Sequence, residues 1–283
     1  MDNIQIFRET NGLQYMISNI KNIKSSTISV MIKTGSIYED NSNRGGAHLL
    51  EHILFRGNTQ LKEQLDISRQ LDAMGARYNA YTDCNIVSFH IKVQNKFIEK
   101  CVNILGNMIA NSYLRSSDID EEKLVVIQEL QMDKDNPVSY VRELNTKLIY
   151  EGNNYSYPVG GDIQSVKNIS NTNLMNFWKS NYNTKNIVLS VSGSIPNNKI
   201  KAFIQKSPFM TNIQSLKENT YKKKPSKQNS IRYNYDIRKE MKQVQLCIGF
   251  PTFSNKNIDK FTLEIIKIIL AGPMSSRLFV IMR

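Results

Sequence analysis

Alternating hydrophobic and polar positions predict several short strands along the chain. The clearest case is 86–93, where Val87, Phe89, Ile91 and Val93 alternate with polar residues. Because successive side chains of a strand point to opposite faces, this pattern is typical of a strand with one buried face. Similar alternation, or runs of β-branched residues, predicts further strands at residues 13–19, 27–33, 77–82, 187–191 and 244–250.

Other segments repeat hydrophobic residues at helical spacing. In 62–74, Ile67 and Leu71 are four residues apart and lie on one face of a helix. Asp118 and Glu121 have the spacing of a capping box, which favours a helix start at this point. The helices predicted from such patterns lie at residues 46–55, 62–74, 95–112, 118–133, 138–150, 171–182 and 257–271.

Strands and helices follow one another in mixed order, without a regular strand–helix–strand repeat. This order indicates an α+β fold. The stretch 211–229 is polar, rich in lysine and asparagine, and contains Pro225. Such composition is typical of a linker, so we expect the chain to divide there.

Length and composition fit a globular protein with a real core. The chain has 283 residues, of which 40% are hydrophobic and 22% charged, and this length allows one large domain or two ordinary ones. No apolar run reaches the roughly 18–20 residues of a membrane-spanning helix. The N-terminus lacks the basic and apolar regions of a secretory signal, so we expect a cytoplasmic protein without membrane contact, an organelle not being excluded.

The three cysteines, Cys84, Cys101 and Cys247, are an odd number without CxxC spacing. A disulfide framework and a cysteine zinc site are therefore disfavoured, and we expect reduced, structural thiols.

The net charge of +12 raises the alternative of a nucleic-acid partner. However, lysines are spread along the whole chain, and the densest cluster, Lys222 to Lys224 with Lys227, lacks interleaved aromatic residues apart from Tyr221. A general compositional bias explains the charge better, and nucleic-acid binding stays a remote alternative.

One short segment carries the chemistry of a metal site. His48 and His52 are four residues apart, so in a helix both imidazoles share one face and can reach one ion, which suits zinc. Glu51 precedes the second histidine and can take a proton from water beside the metal. This His-x-x-Glu-His order is the inverzincin motif. The alternative is a polar helix face with two solvated histidines, but the neighbouring apolar residues oppose it.

Two histidines leave a catalytic zinc site one protein ligand short. The helix predicted over 118–133 offers Glu121, Glu122 and Glu129. Glu122 and Glu129 are seven residues apart and therefore face the same way. Glu129 lies among hydrophobic neighbours, where an unpaired carboxylate would be costly. The pattern favours Glu129 without excluding the other two.

These residues belong to a wider resemblance, which covers nearly the whole chain. The segments 34–36, 46–57 and 126–137 resemble the insulinase, pitrilysin and mitochondrial-processing-peptidase family, peptidase family M16. The family places a glutamate ligand about 75 residues after the second histidine, and 76 residues, 53 to 128, separate His52 from Glu129. The resemblance implies a zinc peptidase with helices packed on a mostly antiparallel sheet in two layers.

The resemblance also implies roles for individual residues. His48, His52 and Glu129 are expected to bind zinc, with Glu51 as the general base. Glu122 matches a family glutamate seven residues before the ligand and is expected to orient His52 or its neighbours. The segment around Asn79 and Ala80 resembles an edge strand that aligns a peptide substrate by strand addition.

The last part of the chain resembles the start of a second copy of the same domain. Residues 272–279 look like a segment of it. The expected organisation is a catalytic domain over 1–210, a linker over 211–229, and an incomplete second domain over 230–283. Family members enclose their substrate between such domains, so we expect a second chain or a homo-oligomer to complete the chamber. The alternative to an active peptidase is a non-catalytic or partner-dependent subunit.

Overall fold

The computed structural model of the chain describes residues 4–221, 231–254 and 256–282. The basic cluster of Lys222 to Lys224 and Lys227, with residues 222–229 of the predicted linker, lies outside the described residues. The strands are β1 (Ile4–Arg8), β2 (Gln14–Asn19), β3 (Ser25–Ile32), β4 (Arg77–Thr82), β5 (Val87–Gln94) and β6 (Ile187–Gly193). The helices are α1 (Gly46–Ile53), α2 (Gln64–Ala73), α3 (Ile98–Ala110), α4 (Ser116–Asp135), α5 (Pro137–Ile149), α6 (Ile163–Asn168), α7 (Asn171–Asn181), α8 (Asn197–Gln205), α9 (Pro208–Thr211), α10 (Lys260–Leu270) and α11 (Arg277–Met282).

The six strands form one sheet in the order β1-β2-β6-β3-β5-β4. Only β2 and β6 run parallel, and the other neighbours are antiparallel. The predicted α+β fold with a mostly antiparallel sheet is therefore confirmed. Sequence order and sheet order differ because β6, more than ninety residues after β5, inserts between β2 and β3.

The alternating pattern of the strands gives the sheet one buried face. Val30 is paired with Phe89 on one side and with Leu189 on the other, and all three are fully buried. Helices α1, α3 and α8 pack against this sheet. The opposite face carries polar residues in the same register, such as Ser29 beside His90. Burial of alternate positions against one helical layer thus fixes both register and layering.

Strand β4 lies at one edge of the sheet. It pairs with β5 on one side only, and no strand of the described residues pairs with its outer side. Helix α1 packs against β4 from the covered face. The predicted metal helix and the predicted substrate strand are thereby neighbours.

Most predicted elements agree with the structure, but several differ from it or were missed. Residues 244–250, predicted as a strand, are irregular, since no strand of the described chain pairs with them. The capping box predicted at Asp118 and Glu121 is wrong, because α4 begins earlier, at Ser116, and no side chain caps it. The Asp118 carboxylate instead accepts a hydrogen bond from Arg115 Nε at 2.7 Å. The strand β1 and the helices α6, α8 and α9 were not predicted.

None of the three cysteines forms a disulfide. No helix in the described parts of the chain is long and apolar enough to cross a membrane.

Candidate metal centre

Helix α1, which carries both histidines, is anchored in the core by its apolar side, and its N-terminus is capped by a residue that lies outside the helix. Leu49, Leu50 and Ile53 are buried in the core. The residue before the helix, Gly45, has a φ of 86°, a left-handed conformation that favours glycine. A glycine has no side chain to cap the helix. The buried Glu39 carboxylate takes that role from the preceding loop, since its oxygens accept hydrogen bonds from the Gly45 N–H at 2.9 Å and from the Ala47 N–H at 2.8 Å.

Helix α1 presents both histidines to α4. The imidazole rings of His48 and His52 lie 4.8 Å apart between centroids. Glu129 reaches across from α4, with its Oε2 atom 3.8 Å from His48 Nε2 and 3.6 Å from His52 Nε2. Within the described residues, these three form the one group of three histidine, cysteine or acidic residues able to share an ion, with ligand atoms within 4.8 Å of one another.

This donor set fits zinc. Two imidazole nitrogens and one carboxylate oxygen are zinc ligands of catalytic sites, which keep a fourth position open. Zinc–ligand bonds of about 2.0–2.2 Å in a tetrahedral arrangement separate neighbouring ligand atoms by roughly 3.4 Å. The distances to the Glu129 carboxylate are close to that value, so only small side-chain movements would bring the atoms into coordination.

Glu122 lies behind His52, two turns of α4 before Glu129. Its Oε2 is 3.1 Å from His52 Nδ1, and its Oε1 is 3.2 Å from Arg56 Nη1. Burial lowers the pKa of His52, but the hydrogen bond to Glu122 and the nearby carboxylates outweigh burial and raise it. Such a carboxylate–histidine pair fixes the ring and leaves Nε2 free on the side of Glu129, where it could bind a metal ion.

The three glutamates that the sequence offered as a third ligand are separated by the structure. Glu121 forms an ion pair with Arg56 and is exposed, so it does not join the histidine pair. Glu129 does join the histidine pair. The reason inferred from its hydrophobic neighbours does not hold, because its side chain is 45% exposed. It faces the site, while Val126 and Ile127 are buried in the core.

His48 differs from His52 in lacking a partner for its second nitrogen. Its Nδ1 is buried and has no hydrogen-bond partner among the described residues. Burial lowers the pKa of His48 to about 4, and the neighbouring His52 lowers it as well. The ring packs against Gly160, where an added Cβ would come within 3.3 Å of Nδ1. Packing and backbone, not a ring hydrogen bond, hold this imidazole.

Glu51 faces an open cleft of about 300 Å³, which is also lined by His52, Phe55, Tyr78, Asn79, Ala80 and Glu122. Its Oε2 accepts a hydrogen bond from the Thr82 hydroxyl at 2.6 Å. Burial raises the pKa of Glu51, while Thr82 and His52 oppose that rise. A carboxylate with a raised pKa is better matched to accepting and returning a proton than an ordinary exposed one.

The free edge of β4 borders the same cleft. In the hairpin, the Asp83 N–H donates to the Ile86 carbonyl at 2.8 Å. In an antiparallel strand, the backbone N–H and C=O groups of every second residue bond to the partner strand. The backbone groups of Asp83 and Tyr81 therefore point toward β5, whereas those of Ala80 point outward. In agreement, the Ala80 N–H donates to the Asn79 side-chain oxygen at 2.9 Å in an exposed bond.

Three contributing residues were missed by sequence reasoning: Glu39, Arg56 and Thr82. Each acts through a contact between segments distant in sequence, which periodicity does not show. A weak signal existed for Glu39, because a helix that starts at Gly45-Gly46 without a capping side chain needs an acceptor from elsewhere. For Arg56 and Thr82 we find no such signal.

Comparisons with known proteins show which family of proteins this chain is similar to. Residues 15–162 match the family model for insulinase (peptidase family M16), and residues 168–283 match the model for the peptidase M16 inactive domain. An uncharacterized zinc protease of Rickettsia felis is 29% identical over 279 residues, covering 98% of this chain and 66% of the relative. The beta subunit of the rat mitochondrial-processing peptidase is 31% identical over 190 residues, covering 67% of this chain and 38% of that protein.

Solved structures share the fold. A protease from Helicobacter pylori superimposes with a TM-score of 0.71 at 23% identity, covering 78% of this chain and 52% of that one. A peptidase M16 inactive domain from Pseudomonas fluorescens gives a TM-score of 0.81 at 15% identity, covering 98% of this chain and 66% of that one. The chain therefore spans about two thirds, or less, of the length of these relatives.

Proposed function

The chain belongs to the insulinase family, peptidase family M16, and on this basis we propose that it is a zinc-dependent peptidase that hydrolyses peptide bonds in peptides or unfolded protein segments. The observation that carries the proposal is the convergence of His48, His52 and Glu129 within 4.8 Å, with Glu51 facing the adjoining cleft. Relatives named as zinc proteases support the choice of metal.

In this proposal His48, His52 and Glu129 hold the zinc ion, and Glu122 orients His52 through its Nδ1 atom. A bound zinc ion supplies a Lewis acid that polarises the scissile carbonyl and acidifies water. Arg56 holds Glu122 in place by its own ion pair, 3.2 Å from Glu122 Oε1. The chain thus places the three ligand side chains next to one another before zinc binds, and Glu122 fixes the ring of one of them, His52.

Glu51 moves the protons. Its carboxylate accepts a proton from the attacking water and then donates that proton to the leaving amine as the peptide bond breaks. The Thr82 hydroxyl holds one carboxylate oxygen, Oε2, at 2.6 Å, which leaves the other oxygen for the proton transfer. Because Thr82 is the last residue of β4, it also fixes the general base relative to the substrate strand.

The substrate backbone is proposed to add to the free edge of β4. An extended peptide can pair there through main-chain groups, which requires no particular sequence. The outward N–H of Ala80 would donate to a substrate carbonyl in place of the Asn79 side chain. This binding mode suits unfolded segments, because a folded substrate has few unpaired strands.

Replacing Ala80 with proline tests the edge-strand mode. Proline removes the outward N–H but leaves the ladder bonds to β5, which alternate residues make. We expect KM for peptides to rise by roughly 3- to 10-fold, as one hydrogen bond contributes about 0.5–1.5 kcal/mol. Zinc content should be unchanged. Ala80→Ser, which keeps the N–H, is the matched control, and an unaltered KM for the proline variant would contradict strand addition at this residue.

The proposed function is tested by measuring zinc content and peptide hydrolysis of the purified chain. We expect about one zinc ion per chain, since the site offers one set of three ligands. A chelator should abolish hydrolysis of a fluorogenic peptide library, and added zinc should restore it. Cleavage that survives complete zinc removal, or a chain that binds no zinc, would refute the proposal.

A second candidate is a subunit that cleaves only together with another chain or domain. Helix α10 favours it, because Ile265, Ile266, Ile269 and Leu270 are between 43% and 59% exposed. A contiguous apolar helix face of this kind is typical of an interaction surface. In the same experiment, one bound zinc ion without hydrolysis supports this candidate.

We propose that residues 1–210 form the catalytic domain and that 230–283, following the linker 211–229, belong to a second domain that carries this surface.

A further inference from the structure

Glu39 occupies an unusual position for a carboxylate. It is 4% exposed, and it lies nine residues before the first histidine of the metal site. Both oxygens are used: one binds the N–H of Gly45 and the other the N–H of Ala47. Burial raises the pKa of Glu39 to about 7, against the two backbone hydrogen bonds, which lower it. A buried carboxylate satisfied in this way costs desolvation free energy, so it needs a compensating role.

The two N–H groups that Glu39 binds are those at the start of the histidine helix. Ala47 immediately precedes His48, so the carboxylate fixes the backbone from which the His48 side chain projects. The first N–H groups of any helix lack partners inside the helix, and a short helix frays when they are left unbound. Helix α1 has only eight residues, and therefore its first turn depends strongly on this contact.

The two histidines are supported differently. His52 has its ring nitrogen bound by Glu122 at 3.1 Å. His48 Nδ1 has no hydrogen-bond partner in the described structure. The orientation of His48 must therefore come from its backbone and from packing, and Glu39 controls the backbone. Glu122 holds the ring of His52 directly, whereas Glu39 holds the backbone immediately before His48.

Glu39 is itself held firmly. The Asn154 side-chain amide donates to the carbonyl of Ile37 at 2.8 Å and to that of Glu39 at 3.0 Å. When it is ionised, the Glu39 carboxylate lies at the positive end of the α1 dipole, which stabilises its negative charge.

We propose that Glu39 is a positioning residue of the metal site, which fixes the first turn of α1 and thereby sets the affinity of His48 for the metal ion. This inference rests on the proposed zinc site. It predicts that Glu39 is needed for zinc binding although it does not touch the metal. Partners that orient metal ligands typically change metal affinity by about 10–100-fold when they are removed.

The test compares zinc dissociation constants, measured by competition with a chromogenic chelator, for the wild type and Glu39→Gln. The amide keeps the size but turns an NH2 group toward one of the two N–H donors. We expect at least a tenfold weaker zinc affinity. In the zinc-free protein, hydrogen exchange at the Ala47 amide should be faster in the variant, while amides of β3 exchange as in the wild type.

A control separates positioning from general destabilisation. Ile204→Ala removes a fully buried side chain of α8, a helix that packs on α3, α9 and β2, and should lower the melting temperature without changing zinc affinity. If zinc affinity is unchanged in Glu39→Gln, or falls equally in both variants, the inference is wrong. Should Glu39→Gln fail to fold, Asn154→Ala loosens the same loop and is expected to weaken zinc binding in the same direction; unchanged affinity in that variant overturns the inference. A wild type without zinc would instead refute the proposed function.

Discussion

Glu51→Gln should abolish peptide cleavage while leaving zinc binding and the fold intact. Glutamine has the same shape and can still accept the hydrogen bond that Thr82 donates at 2.6 Å. It cannot accept a proton from water at neutral pH. A positioned general base contributes about 10²- to 10⁴-fold to a rate, so we expect kcat to fall by that factor with little change in KM.

The measurement is steady-state hydrolysis of a fluorogenic peptide, with zinc content determined on the same sample. Glu99→Gln is the matched control, because it removes the same charge from an exposed position on α3 and should retain full activity. Wild-type turnover by Glu51→Gln at normal zinc content would remove Glu51 from the role of general base. Loss of turnover together with loss of zinc would assign it to metal binding instead.

The sequence predicted the helix that carries the two histidines because their spacing is local. His48 and His52 are four residues apart in a segment whose apolar neighbours predict one helix, and the structure has that helix at Gly46–Ile53. The relation of Glu122 to Glu129 is equally local, since seven residues are two turns of α4. Periodicity therefore predicted which faces could meet.

Which of the glutamates meets the histidines is a tertiary question. Periodicity places Glu121 and Glu122 on adjacent positions of α4, but only the packing of α1 on α4 decides that Glu121 binds Arg56 and Glu122 binds His52. The resemblance to a known family supplied the choice of Glu129. The residues alone did not, since the argument from a buried, unpaired Glu129 carboxylate does not hold for a side chain that is 45% exposed.

Contacts between segments that are distant along the chain could not be predicted from the sequence. Glu39 and Asn154 are 115 residues apart and meet through the loop that precedes α1. The prediction of a strand at 244–250 failed for the related reason that alternation does not provide a pairing partner. In the described residues that segment is irregular and lies beside α5, lining a pocket with Val141 and Leu144.

Removing a proposed metal ligand should have the other large effect. We expect Glu129→Gln to lose most of its zinc, because an amide oxygen is a far weaker zinc ligand than a carboxylate, and the two histidines alone do not complete a catalytic site. Loss of a partner that only orients a ligand costs about 10–100-fold in affinity, so loss of a ligand should exceed about 100-fold. His48→Ala and His52→Ala should behave in the same way.

Glu121→Gln provides the matched control for this prediction. It removes the same charge from the same helix, eight residues earlier, at an exposed carboxylate that pairs with Arg56 and not with the histidines. Zinc affinity measured by chelator competition should therefore stay within about twofold of the wild type, since exposed ion pairs contribute little. The opposite pattern, with zinc retained in Glu129→Gln and lost in Glu121→Gln, would show that α4 presents a different carboxylate to the metal. The proposed ligand set of His48, His52 and Glu129 would then have to be abandoned.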